Sequence, residues 1–323
     1  MTLLPDEDAW AVTEFADAEL GDVRRMQRVV ALATVLAQRP GASLPEACGD
    51  RAMLKAAYRF FDNAAIDPRD LLDSHVDATL ARVATVPLVL AVQDTTALDG
   101  TAHPATTGLG PLTQPAHRGL HVHTTLALTP ARVPLGRLAQ QVWARAPEDV
   151  GKRATRKQRP LADKESQQWL TSVDAVVAAR VACPQTRFIS VGDREADVYD
   201  LFALERPIGV ELLVRAAWDR CVTQPARRLW ATVAAGPIEA TVTVQVPRRG
   251  AQPPRSATVA VRWCPLTLCP PPHRKRERLS PVAVWAVQAL EATPPPGTAP
   301  LEWLLLTTYG VHSTRDALER VDW

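Results

Sequence analysis

The sequence has no apolar run long enough to cross a membrane: the stretch from Val86 to Val92 stops well short of the ~18 residues a span requires. Met1 to Trp10 is acidic and lacks the basic-then-apolar pattern of a secretion signal. Cysteine is sparse. Cys48, Cys183, Cys221, Cys264 and Cys269 are odd in number and scattered, which argues against a disulfide framework and suits a reducing compartment. Net charge is almost nil, with 37 Lys and Arg against 35 Asp and Glu, and there is neither an internal repeat nor a low-complexity linker. Together these absences set the expectation of a soluble, cytoplasmic protein with no membrane partner. Hydrophobic residues at 46% and charged residues at 22% lie far from the composition of disordered chains, so a large core is available. The 323 residues leave room for about two domains of roughly 150 residues each.

Proline is plentiful, and positive charge is locally concentrated. Pro270-Pro271-Pro272 and Pro294-Pro295-Pro296 read as stiff, extended connectors. Basic residues gather at Arg24, Arg25 and Arg28, at Lys152, Arg153, Arg156, Lys157 and Arg159, and at Arg248, Arg249, Arg255 and Arg274 to Arg278. Separated basic runs raise the prospect of a polyanionic partner, although any one of them also reads as a solvated loop.

Periodicity divides the chain. Residues 14–62 read as helical: Asp22 offers a cap, Val23, Met26, Val30, Ala33 and Leu36 repeat at helical spacing, and Pro40-Gly41 ends the run. Beyond a turn region at Ser43 to Gly49, Arg51, Lys55 and Arg59 fall on one helical face, with Leu54, Ala57, Tyr58 and Phe61 as the apolar side. Such a stripe could lie along DNA or merely face water. Leu88 to Val92 then forms a continuous apolar run, the pattern of a strand buried on both faces. With strands at His121 to Leu128 and Arg137 to Trp143 it predicts a three-stranded meander. A helix over 163–182, a buried strand at Phe188 to Val191 and a helix over 194–204 follow. Strands at Val210 to Val214, Ala240 to Val246, Ala257 to Trp263, Val282 to Ala289 and Trp303 to Thr308 complete the reading.

Asp94 and Asp193 each stand at the C-terminal end of a buried strand, where open sheets commonly bind ligands. Two carboxylates meeting there would call for a cation, and Mg²⁺ is typically held by one or two carboxylates plus phosphate oxygens. Read alone, either aspartate is equally a turn or helix cap. Cys264, Cys269 and His273 lack a fourth ligand for zinc, and His121 and His123 share one face of a strand, which favours a core or loop-facing place over metal binding. Thr107-Gly108-Leu109-Gly110 lacks the context of a dinucleotide fingerprint.

More specific are Leu20-Gly21-Asp22-x-Arg24-Arg25, Ala57-Tyr58-Arg59-Phe60, Gln93-Asp94-Thr95-Thr96, Asp163-Lys164-Glu165-Ser166 with Trp169, Gly192-Asp193-Arg194-Glu195-Ala196-Asp197 and Trp303-Leu304-Leu305-Leu306-Thr307. In this order the chain resembles the DDE transposases of the insertion-sequence-four group, which include the transposase of transposon five. The resemblance implies an α/β fold with a ribonuclease-H-like mixed-sheet core. It implies a helical transposon-end-binding domain over 1–70, a catalytic core over 71–206, a β-rich insertion over 207–300 and a return to the core over 301–323. Asp94 and Asp193 then match the first two carboxylates of a metal-binding triad for Mg²⁺, or Mn²⁺, and Trp303 matches a ring that stacks on a base flipped from the duplex. The implied reaction is hydrolysis of a phosphodiester followed by strand transfer through the freed 3′-OH, with double-stranded transposon ends and target as partners and a dimer as the assembly. Arg24, Arg25, Arg28, Arg51, Lys55 and Arg59 are the candidate DNA contacts.

One departure matters. The family continues past the position of Ala317 to Trp323 with a helix bearing Tyr-x-x-Arg-Trp-x-Ile-Glu-Glu-x-x-Lys, whose first Glu completes the triad; this sequence ends at Trp323. The expectation is therefore a transposase lacking its third carboxylate and its dimerisation region, inactive as it stands. The alternative is a DNA-binding remnant that occupies transposon ends or inhibits intact transposase.

Overall fold

The computed structural model describes residues 9–114, 116–147, 167–248, 250 and 253–323. The basic run at 152–159, the motif at 163–166 and Arg249 lie outside the described residues.

The chain opens with α1 (Ala9–Glu14), α2 (Val23–Gln38), α3 (Leu44–Cys48) and α4 (Arg51–Phe61), followed by α5 (Pro68–Val83). Asp22 caps α2 as its sequence position suggests, accepting from the Arg24 N–H at 2.7 Å. The expected turn at 43–49 instead contains α3. Ser43 and Glu46 form a capping box that nucleates one helical turn, and Gly49, at φ +72°, ends it in a conformation that favours glycine. Leu20, Val29, Leu32, Ala57 and Phe60 close a small core among these helices. α5 reaches out of it: Leu71 packs into the helical core, while Leu80 and Val83 pack under the sheet that follows.

That sheet has ten strands in the order β2-β3-β1-β5-β6-β10-β9-β8-β7, with β4 also pairing β3. They are β1 (Leu88–Asp99), β2 (Gly110–Pro111), β3 (Arg118–Leu128), β4 (Pro134–Trp143), β5 (Arg187–Gly192), β6 (Val210–Arg215), β7 (Ala240–Val246), β8 (Arg255–Leu268), β9 (Val282–Glu291) and β10 (Glu302–Thr307). Only β1, β5 and β6 run parallel to one another; the meander β1-β3-β4 and the flank β10-β9-β8-β7 are antiparallel. Two short helices, α7 (Tyr199–Ala203) and α8 (Leu229–Ala234), join α6 (Gln167–Ala182) on one face over Val214, Leu266, Ala286 and Leu306. α9 (Thr314–Asp322) covers the other face, over Val259, Val261, Val287 and Ala289.

β6 sits inside the sheet between β5 and β10, and β9, β8 and β7 continue that sheet beyond β10.

Candidate functional site

The cationic stripe on α4 is solvent-facing: Arg51, Lys55 and Arg59 are all exposed, while Ala57 and Phe60 turn inward. Asp50 caps the helix, accepting from the Met53 N–H at 2.8 Å. The apolar side differs from its sequence reading. Tyr58, 54% exposed, lies on the cationic side because at 100° per residue it falls about 20° from Arg51, and Phe60 takes the buried position. α4 therefore presents an aromatic ring beside three cations. The second cluster divides. Arg24 is exposed, whereas the Arg25 guanidinium donates to the carbonyls of Leu20 (2.8 Å) and Ala65 (3.2 Å) and ties the helices together. Half-buried Arg28 lies against the Met53 sulfur at 3.7 Å.

Asp94 lies within β1, which runs on to Asp99, so the strand end read for it in the sequence is not one; Asp193 directly follows β5. β1 and β5 pair in parallel from Leu88 with Arg187 to Val92 with Val191, two residues short of each aspartate. Alternation along β1 puts the Asp94 side chain on the face of Leu90, the face toward α9. Both aspartates are exposed. Each spends one oxygen on nearby backbone: Asp94 Oδ1 accepts from the Thr95 N–H at 2.8 Å, and Asp193 Oδ1 accepts from the Glu195 N–H at 2.8 Å. The second carboxylate oxygen of each has no protein hydrogen-bond partner among the described residues, which leaves each aspartate one hard oxygen donor. That donor set fits Mg²⁺ held by two carboxylates and completed by phosphate oxygens or water. Among the described residues, no group of three or more His, Cys, Asp or Glu could hold a metal.

β6 pairs with β5 on its other side: Gly192 pairs with Val214, the residue before Arg215. Arg215 donates to the Glu302 carbonyl at 3.0 Å, linking β6 to β10. Beside it opens a cleft of ≈ 560 Å³ lined by Arg194, Arg215, Pro247, Leu301 and Trp303 among others. Trp303 is half-buried and packs with its neighbours on the α9 face, so the ring borders the cleft from a fixed seat.

Under the aspartates, on the opposite face, runs a polar chain. Gln93 Nε2 donates to Ser190 Oγ at 2.6 Å, Gln93 Oε1 lies 3.4 Å from His123 Nε2, and His123 Nδ1 lies 2.7 Å from Thr95 Oγ1. It ties β1, β3 and β5 together. The Trp169 ring meets His123 edge-on at 4.7 Å and also covers Gly192. A Cβ at residue 192 would lie 2.4 Å from the Ala196 Cβ, so only glycine lets the chain turn this tightly into Asp193. His121 and His123 are both buried, in keeping with the core place read for them.

Sequence reasoning gave no role to Asp197, the last residue of the Gly-Asp-Arg-Glu-Ala-Asp motif. Its side chain is fully buried and paired with Arg220 at 2.6 Å. It also accepts from the backbone N–H groups of Ala217 (2.8 Å) and Trp218 (3.1 Å). The signal available in sequence was an acid directly flanked by the apolar residues Ala196 and Val198. Much of the third basic run is structural too: Arg255 pairs with Glu291, and Arg274 with Asp200 and Glu277.

Two histidines carry a pH consequence. Burial holds the His123 pKa below its usual value despite the opposing Asp94 charge, and burial likewise outweighs Glu14 at His75. Both bind protons more weakly folded than unfolded, so their stabilising effect is present above about pH 6.5 and is lost as pH falls below it. Urea midpoints are expected to drop between about pH 7.5 and 5.5, and more gently in His123→Gln. A flat profile would show that neither ring is held neutral.

Residues 7–66 match the model of a family described as transposase DNA-binding. The match spans α1 to α4 and contains all six cationic candidates; this part of the chain is thus similar to the DNA-binding portion of transposases.

Proposed function

We propose that this chain is a DDE-type DNA transposase of the insertion-sequence-four group, with a ribonuclease-H-like core. The observation that carries the reading is the parallel pairing of β1 with β5, whose register ends two residues before Asp94 and Asp193, in a chain whose first helices match a transposase DNA-binding family. The meander β1-β3-β4 followed by the parallel strands β5 and β6 supports the same core.

Each part of the site has a task. Arg51, Lys55, Arg59 and Arg24 neutralise phosphates of the transposon end, a sequence-independent contribution that positions the duplex. Asp94 and Asp193 hold Mg²⁺, or Mn²⁺, through their free oxygens. When bound, the metal supplies a more acidic attacking water or hydroxyl and charge compensation at the leaving oxygen. Arg215 and Arg194 set positive charge beside the phosphate, and Trp303 offers its ring to a base drawn into the cleft. The polar chain through Gln93 and His123 fixes the strand ends, so the two carboxylates are placed before substrate arrives.

Metal binding provides the direct test. Mn²⁺ titration followed by electron paramagnetic resonance is expected to show one site in the unsubstituted protein and none in Asp94→Asn or Asp193→Asn; undiminished binding by both variants would overturn the assignment. In gel-based cleavage of a matched transposon-end duplex, cutting should be lost once Asp94 is asparagine.

A further inference from the structure

Trp218 is 63% exposed, an unfavourable place for the largest apolar side chain. It is nevertheless held firmly. Its own N–H and that of Ala217 donate to the buried Asp197 carboxylate, and Arg220 closes the same knot through Asp197 Oδ1 at 2.7 Å. Trp218 follows Arg215 by three residues, so its Cα lies no more than about 11 Å from that of Arg215. The Arg228 guanidinium donates to the carbonyl of the next residue, Asp219, at 3.0 Å. A solvent-facing ring on an anchored backbone, with Arg215, Arg220 and Arg228 tied to the same stretch of chain, matches the chemistry by which proteins grip unpaired nucleotides: stacking on a base face, with phosphates neutralised alongside.

We infer that Trp218 is a stacking platform for an unpaired DNA base next to the phosphate at the Asp94–Asp193 edge, at a position separate from Trp303. This rests on the transposase reading. Asp197 acts here as a positioning residue, since the backbone it anchors is ordered in advance and stacking need not meet the cost of ordering that loop. Paired bases hide their faces within the helix, so the platform favours DNA with unpaired nucleotides over a continuous duplex.

The test is fluorescence anisotropy with a labelled duplex of about 30 base pairs and the same duplex carrying a short unpaired stretch, the protein being otherwise intact. The unsubstituted protein is expected to bind the partly unpaired DNA more tightly. Trp218→Ala should lose about 5- to 150-fold of that affinity, the equivalent of ~1–3 kcal/mol for one stacked base, with no change in salt slope. Trp218→Phe should restore most of it. Equal binding of the two DNAs by the unsubstituted protein, or Trp218→Ala matching it on unpaired DNA, overturns the platform while leaving DNA binding intact. No binding of either DNA overturns the transposase reading and the platform together.

Discussion

Replacing Arg51, Lys55 and Arg59 together with alanine is expected to weaken DNA binding by roughly 500-fold at about 0.1 M salt. Each phosphate neutralised adds about 0.9 to the slope of log affinity against log salt, so losing three contacts flattens it by ~2.7 units. If affinity near 1 M salt is unchanged, that flattening is the stated loss one decade lower. The three side chains are exposed, away from Ala57 and Phe60, so the helix should fold without them. Salt titrations by fluorescence anisotropy provide the check, with single variants each flattening the slope by about one unit. An unchanged slope in the triple variant would place DNA on a different surface. Arg25→Ala should behave otherwise and lower the melting temperature, because its guanidinium bonds carbonyls of the helical unit.

The second large effect is on stability, and it separates two aspartates of a single motif. Asp197→Ala should cost about 3–5 kcal/mol, because it leaves the largely buried Arg220 uncompensated and strips the Ala217 and Trp218 N–H groups of their acceptor. Asp193→Asn, four residues earlier, should leave urea unfolding nearly unchanged, since its side chain is exposed and an amide oxygen can still cap the following turn. Equal losses in the two variants would contradict the division between an aspartate that holds the fold and one that faces substrate.

That division shows what a sequence reveals and what it conceals. The buried strands before Asp94 and Asp193 were legible because a continuous apolar run announces a buried parallel strand, whereas the continuation of β1 to Asp99 was not, since its later residues are polar or exposed. The strands at 240–246 and 282–289 were legible for the same reason, through alternation or continuity of apolar residues. The roles of Gln93, His123 and Asp197 were not, because a polar side chain looks alike in sequence whether it meets water or a partner tens of residues distant. Arg25 and Arg274 illustrate the same limit, since a cation on a surface loop and one satisfying carbonyls or carboxylates share a single letter. α5 escaped notice because its apolar residues serve two cores in turn, and no single stripe emerges.

Glu14, at the end of α1, is bonded to both His75 and Arg82 of α5, and the His75 ring in turn accepts from the Arg137 N–H on β4 at 2.9 Å. These contacts rivet the helices that match the DNA-binding family to the sheet that bears the aspartates. A tethered reader can search for its cutting position; a riveted one behaves as a gauge block. On the proposed transposase reading, the number of base pairs between the stretch met by α4 and the bond presented to Asp94 and Asp193 becomes a dimension of the protein itself, fixed when the chain folds and before any DNA is met.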